Sequence, residues 1–175
     1  MMRLRALLIC LVLLAGCTKP VAVFEQGEFP AKLSAWRIVS IEGESLKLHP
    51  ESIPYDLNTP LFTDYSHKLR TFWVPPGSQA VIEGDRINLP VGSVISKTFY
   101  YAEADGELVN VSQQPHHFTE TGLDLNHTRL IETRLLVHLE TGWVGLPYVW
   151  DEDQRDATLE VAGDLFDVTL SGRTF

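Results

Sequence analysis

Residues 129–160, RLIETRLLVHLETGWVGLPYVWDEDQRDATLE, leave this chain little freedom in what it can fold into. Ile131, Thr133, Leu135, Val137 and Leu139 recur every second position. Glu132, Arg134 and His138 share the opposite parity with Leu130 and Leu136. A period of two is the mark of a half-buried strand and cannot lay one clean face along a helix. Thr141-Gly142 predicts a reversal, and Trp143, Tyr148 and Trp150 then load the returning strand with aromatics. Residues 151–156 are polar enough for a second reversal into a third strand. Large aromatics supply much of the apolar area that a small β-domain buries, so this hairpin is expected to form the core.

The rest of the chain agrees with that reading. Residues 68–74 alternate and stop at Pro75-Pro76-Gly77. Glu83-Gly84-Asp85 predicts a turn between strands at 80–82 and 86–89. Residues 94–101 are β-branched and aromatic, with Val94, Ser96, Thr98 and Tyr100 opposing Ile95, Lys97, Phe99 and Tyr101. Residues 37–41 form a brief strand before the turn at 42–44, and 165–170 alternate again. Ahead of these, Pro30, Leu33 and Trp36 predict a short N-terminal helical segment, the two apolar residues standing at i, i+3. Between 53 and 65 the chain is apolar, yet Pro54 and Pro60 exclude a helix. A packed irregular loop is expected there, with Asp56, Asn58, Thr59 and Asp64 bonding its backbone. Residues 103–128 have little period and form a long excursion. The expected fold is all-β: a single antiparallel β-sandwich or open barrel.

The N-terminus is read separately from the fold. Arg3 and Arg5 precede an apolar run at 6–14, too short to span a bilayer, and Leu14-Ala15-Gly16-Cys17 follows. This pattern resembles a bacterial lipoprotein signal. Residues 1–16 are then removed, Cys17 carries lipid, 17–27 form a tether and 28–175 one β-rich domain. Thr18 after the cysteine implies sorting to the outer membrane, facing the periplasm. The only other cysteine, Cys10, lies in the removed segment, which excludes disulfides, thiolate metal sites and a cysteine nucleophile from the mature chain. Loss of Arg3 and Arg5 leaves 12 of the 14 basic residues against 23 acidic ones, a formal balance of −11. Such acidity excludes nucleic acid as a partner and assigns membrane attachment to the lipid. A basic protein, such as a small cytochrome, is compatible with it.

Candidate chemistry is sparse. His116 and His117, with His127 ten residues on, are the metal-ligand candidates, because neutral imidazole binds zinc and copper. Their spacing is not that of a known metal motif, so neither a metal nor any other cofactor is expected. Phosphate loops, nucleophile elbows and CxxCH haem attachment are absent from the sequence. Lys97, Glu132 and Arg134 are the candidate polar face: if the two strands pair, a Lys–Glu–Arg network lies on one side of a sheet.

YDLNTPLFTDYSHKLR, LPVGSVISKTFYY and the 129–161 stretch together resemble a family of bacterial envelope lipoproteins. Longer members of that family carry this β-rich region and then a c-type haem module. The present sequence reaches Phe175 without a haem motif, so the resemblance implies an accessory domain that binds a partner, foremost a haem protein, in a cytochrome-linked redox system. A periplasmic enzyme or metal- or haem-binding protein, and a truncated remnant of a longer haem-bearing protein, are the alternatives. Cys17→Ser should release the protein from membranes on fractionation, and unchanged retention would overturn the anchor.

Overall fold

Alternating apolar and polar residues put their side chains on opposite faces of a strand, and the chain follows this rule over most of its length. The computed structural model describes residues 18–25, 27–59, 61–109, 118–119, 122–162, 168–170 and 173–174. Its strands are β1 (Val39–Glu42), β2 (Ser45–Leu48), β3 (Ile53–Tyr55), β4 (His67–Trp73), β5 (Val81–Glu83), β6 (Arg86–Asn88) and β7 (Val94–Ala104). After them come β8 (Glu107–Val109), β9 (Phe118–Thr119), β10 (Gly122–Asp124), β11 (Thr128–Leu139) and β12 (Gly142–Trp150). The last are β13 (Ala157–Leu159), β14 (Thr169–Leu170) and β15 (Arg173–Thr174). The fold is all-β. The expected signal segment, Cys17, His116, His117 and residues 165–167 of the expected 165–170 strand lie outside the described residues.

Nine strands form one large sheet built on β7, which pairs with β11 along one edge and with β4 and β8 along the other. β12 and β13 continue beyond β11, and β3 continues beyond β4. Four strands, in the order β1-β2-β10-β9, form a second sheet, and β5-β6 stand alone as a hairpin. Pairing is antiparallel except where β14 meets β8. The hairpin reversal falls at Glu140-Thr141, one residue earlier than the sequence suggests, and pairs Leu139 with Gly142.

Both sheets contribute to one core. Leu69, Trp73, Val94, Tyr100, Leu135, Val137, Leu146, Tyr148 and Trp150 from the large sheet meet Val39, Leu46 and Leu123 from the small one. Buried polar atoms are costly unless paired, and several in this core are paired across strands. Thr71 and Ser96 hydroxyls are 2.6 Å apart, Thr98 and Thr133 hydroxyls 2.8 Å, and the Trp150 indole N–H donates to Thr133 at 2.9 Å. The Trp36 indole donates to the Tyr148 hydroxyl at 2.7 Å, and that hydroxyl donates to the Pro30 carbonyl at 2.9 Å. The predicted N-terminal helical segment is one 3-10 turn, Leu33–Trp36, whose two apolar residues plug this core. Asp156 holds the turn by accepting from the Ser34 N–H and hydroxyl at 3.0 and 2.6 Å.

The parity of β11 changes once. A bulge between Leu130 and Glu132 makes Ile131 the extra residue. Leu130 therefore turns into the core opposite Tyr100, while Ile131 packs with Tyr101 outside it. This reverses the expected sides of Leu130 and Ile131, because a bulge shifts the alternation by one. The Gln154 carboxamide fills the gap. It accepts from the Leu130 N–H at 2.6 Å and donates to the Leu130 carbonyl at 3.2 Å and the Asp151 carbonyl at 3.0 Å.

Two further expectations are corrected. Trp143 lies on the parity opposite to Tyr148 and Trp150, is 44% exposed and stacks on the His138 ring at 4.5 Å. Residues 53–62 are not a packed loop: β3 adds to the edge of β4, with Leu61 and Phe62 79% and 70% exposed. An edge position tolerates Pro54, which has no N–H to donate. Gln154→Ala should cost about 1–3 kcal/mol in urea unfolding, because it strands the Leu130 amide in the bulge. An unchanged midpoint would remove the carboxamide from this role.

Candidate functional site

On the side of the large sheet turned away from the core, cross-strand register sets Arg70 opposite Lys97 and Lys97 opposite Arg134. Adjacent strands are about 4.8 Å apart, so three cationic side chains leave the backbone in one row. The next row along the strands is Lys68, Phe99 and Glu132, and on the other side lies Phe72, Ile95 and Leu136. The three residues singled out in the sequence, Lys97, Glu132 and Arg134, are thus brought together. Their pairing differs from a Lys97–Glu132 contact. Arg134 Nε donates to Glu132 Oε1 at 2.8 Å, and Lys97 Nζ stands 4.9 Å from the centre of the Phe99 ring. The Arg134 guanidinium lies 5.1 Å from the same ring, so Phe99 carries two cations on its π-system.

Arg70 is the member that sequence reading missed. Its side chain is only 6% exposed, and its one ion pair is a single contact from Nη1 to Asp56 Oδ1 at 3.0 Å. Asp56 is itself 72% exposed and also accepts from the Leu57 N–H at 2.9 Å. A guanidinium has five donors in a planar fork, so one contact leaves most of that capacity unused by Asp56. The signal in the sequence was the alternation of Lys68, Arg70 and Phe72. It needed the pairing of β4 with β7 to become a site.

Arg70, Lys97, Glu132 and Arg134 floor a groove of about 580 Å³. Tyr55, Leu57, Ile95, Leu136, Pro147 and Val161 give it apolar walls. Gly145, opposite Leu136 in the hairpin, brings no side chain to this face and keeps it open. Three cations, Arg70, Lys97 and Arg134, line the groove with one carboxylate, Glu132, while Asp56 pairs with Arg70 and Lys68 lies on the same sheet face beside it. The imbalance is visible in the ionisation. Burial holds the Lys97 ammonium below the usual lysine range, with Arg134 and Arg70 acting the same way and Glu132 opposing them. Lys68 is lowered by burial, then by Arg70 and Lys97. Arg134 is raised by its hydrogen bond to Glu132. Chemically, the groove is suited to hold an anionic group beside an apolar body.

The histidines lie elsewhere. His127 closes a 3-10 turn, Leu125–His127, and the described residues contain no group of three or more metal-ligating side chains. His49 accepts from the Glu51 N–H on Nδ1 at 3.3 Å and meets the Lys19 carbonyl through Nε2 at 3.1 Å. Comparison with known proteins found no matching family model, curated protein or solved structure.

Lys97→Met should raise the urea midpoint at neutral pH. A lysine whose folded pKa is depressed loses its proton first in the folded state, so its penalty is complete below that folded value and fades as pH rises toward the ordinary lysine range. The stabilising effect of Met should therefore shrink in alkali. A lower midpoint at neutral pH would show that the ammonium is net stabilising.

Proposed function

We propose that this chain is a lipid-anchored envelope domain that binds a partner rather than transforming a substrate, and that the groove on the large sheet is the contact. The observation that carries the reading is the row Arg70–Lys97–Arg134 on a chain of formal charge −9. Like charges opposite one another in a sheet are destabilising, and only two carboxylates stand beside them. An anion supplied from outside balances the row. The described residues lining the groove include no serine, cysteine or histidine, which supports binding over catalysis.

The partner that fits the sequence resemblance is a haem protein of an extracytoplasmic redox system, since a solvent-exposed haem edge presents propionate carboxylates. We read the two sheets that share a core as the layers of a β-sandwich, with the groove on its outer face. The proposed location is the periplasmic side of the outer membrane, through lipid on Cys17. Among the described residues no helix is long and apolar enough to cross a membrane. One competing occupant has an observation of its own: about 580 Å³ is within the range of small-molecule sites, so an amphipathic carboxylate could sit there directly.

Chemical-shift titration of the folded protein separates these readings. A small c-type cytochrome with an acidic haem-edge surface should perturb residues of the Arg70–Lys97–Arg134 row at low ionic strength, with binding weakened by salt. Arg134→Gln should reduce affinity by about tenfold, through loss of one charge-assisted contact. Perturbation by a long-chain fatty acid but not by the cytochrome would reassign the occupant. Silence toward both would sink the groove as a binding site.

A further inference from the structure

A second basic surface is carried by the outer face of the small sheet. An open basin of about 1290 Å³ runs between residues 18–19, the 3-10 turn and the β1–β2 hairpin, and Lys19, Arg37 and Lys47 line it. In β1 and β2, Val39 and Leu46 enter the core, so the cross-strand pair Ser40 and Lys47 points away from it. Arg37 follows the 3-10 turn and is exposed. Among the described residues the side chains of Lys19, Arg37 and Lys47 form no ion pair. Arg155 also lines the basin, where it is paired with Glu44 at 3.0 Å, leaving Glu42 as the carboxylate facing the three cations. Formal acidity thus coexists with a concentrated positive surface.

The chain entering this surface is docked, although 17–27 read as a tether. The Lys19 carbonyl is held by His49, Val21 is buried, the Ala22 N–H donates to the Trp36 carbonyl at 3.0 Å, and Phe24 meets Trp36 edge-on at 4.9 Å. Only Thr18 separates Cys17 from the first fixed residue. An extended residue spans at most about 3.6 Å, so a lipid on Cys17 holds Lys19, at one end of the basin, within roughly 10 Å of the bilayer surface. That is comparable to the screening length of about 8 Å at physiological ionic strength.

We propose that Lys19, Arg37 and Lys47 face the membrane and engage the phosphates of anionic phospholipid head groups, fixing the orientation of the domain. This rests on the reading of Cys17 as the lipid-bearing residue. The anchor supplies the affinity, and the three cations select which side lies down. The Arg70–Lys97–Arg134 groove, on the outer face of the large sheet, then faces away from the bilayer, open to partners.

The test uses the lipidated full chain on vesicles of phosphatidylcholine and phosphatidylglycerol, with a fluorophore on Ser40→Cys or, separately, Gly145→Cys. Nitroxide-labelled head groups should quench the label at 40 at least about threefold more than that at 145, given the short screening length. Raised salt, or Lys19→Glu combined with Lys47→Glu, should reduce that difference while the protein still sediments with the vesicles. Equal quenching at both positions, or a difference indifferent to salt, would overturn the orientation alone. Failure to sediment would overturn the anchor and the orientation with it. If the charge-reversed chain does not fold, judged by its urea midpoint, the salt arm decides on the unaltered charges.

Discussion

The Gln154 carboxamide, hydrogen-bonded to both backbone groups of Leu130, is the contact on which the two faces of the large sheet depend. A strand twelve residues long with a fixed period of two would put Leu130 on the same side as Glu132, Arg134 and Leu136. The bulge at Ile131 lets Leu130 cap the core over Tyr100 while the polar residues beyond it stay outside. An extra residue leaves ladder groups unpaired, and a buried unpaired amide is costly. Gln154 removes that cost from the far side of the 151–156 reversal. Its own backbone is left-handed, with φ of 57°, a conformation that the surrounding contacts must hold.

Behind the cationic row the sheet is lined with hydroxyls rather than aliphatic chains. Thr71, Ser96, Thr98 and Thr133 are small, paired and almost wholly buried. They bring the backbone of β4, β7 and β11 close to the aromatic core while leaving no polar atom of their own unmatched. The outer face uses different chemistry. Phe99 separates the cations of Lys97 and Arg134 and accepts both electrostatically, which tempers a repulsion that Glu132 and Asp56 only half neutralise. Apolar walls raise the strength of any anion contact made there, because water is a poorer competitor beside them.

Net charge and surface charge diverge in this protein. The sequence balance is strongly acidic, a sound argument against nucleic acid and no argument at all about a local surface. Folding gathers Lys68, Arg70, Lys97 and Arg134 on one side and Lys19, Arg37 and Lys47 on another. Some of the acidity is spent in local structure: Asp151 on Lys32, Asp156 on the 3-10 turn and Glu44 on Arg155.

Strand periodicity is local, so the all-β class, the 129–150 hairpin and the β7 strand were legible from residue order alone. So was the shared parity of Glu132 and Arg134, which Lys97 joins on one face on condition that the two strands pair. Trp143 was legible too, since its odd position opposes Tyr148 and Trp150; counting aromatics without their parity misplaced it. What parity cannot supply is which strand lies beside which, and in what register. The neighbour β4 set Arg70 against Lys97, and the register of β11 on β7 set Glu132 against Phe99 and Arg134 against Lys97. Lys19, Arg37 and Lys47 have no pattern in sequence at all. Their proximity comes from a docked N-terminal segment and a two-strand hairpin, contacts between residues far apart in the chain that only the packed structure decides.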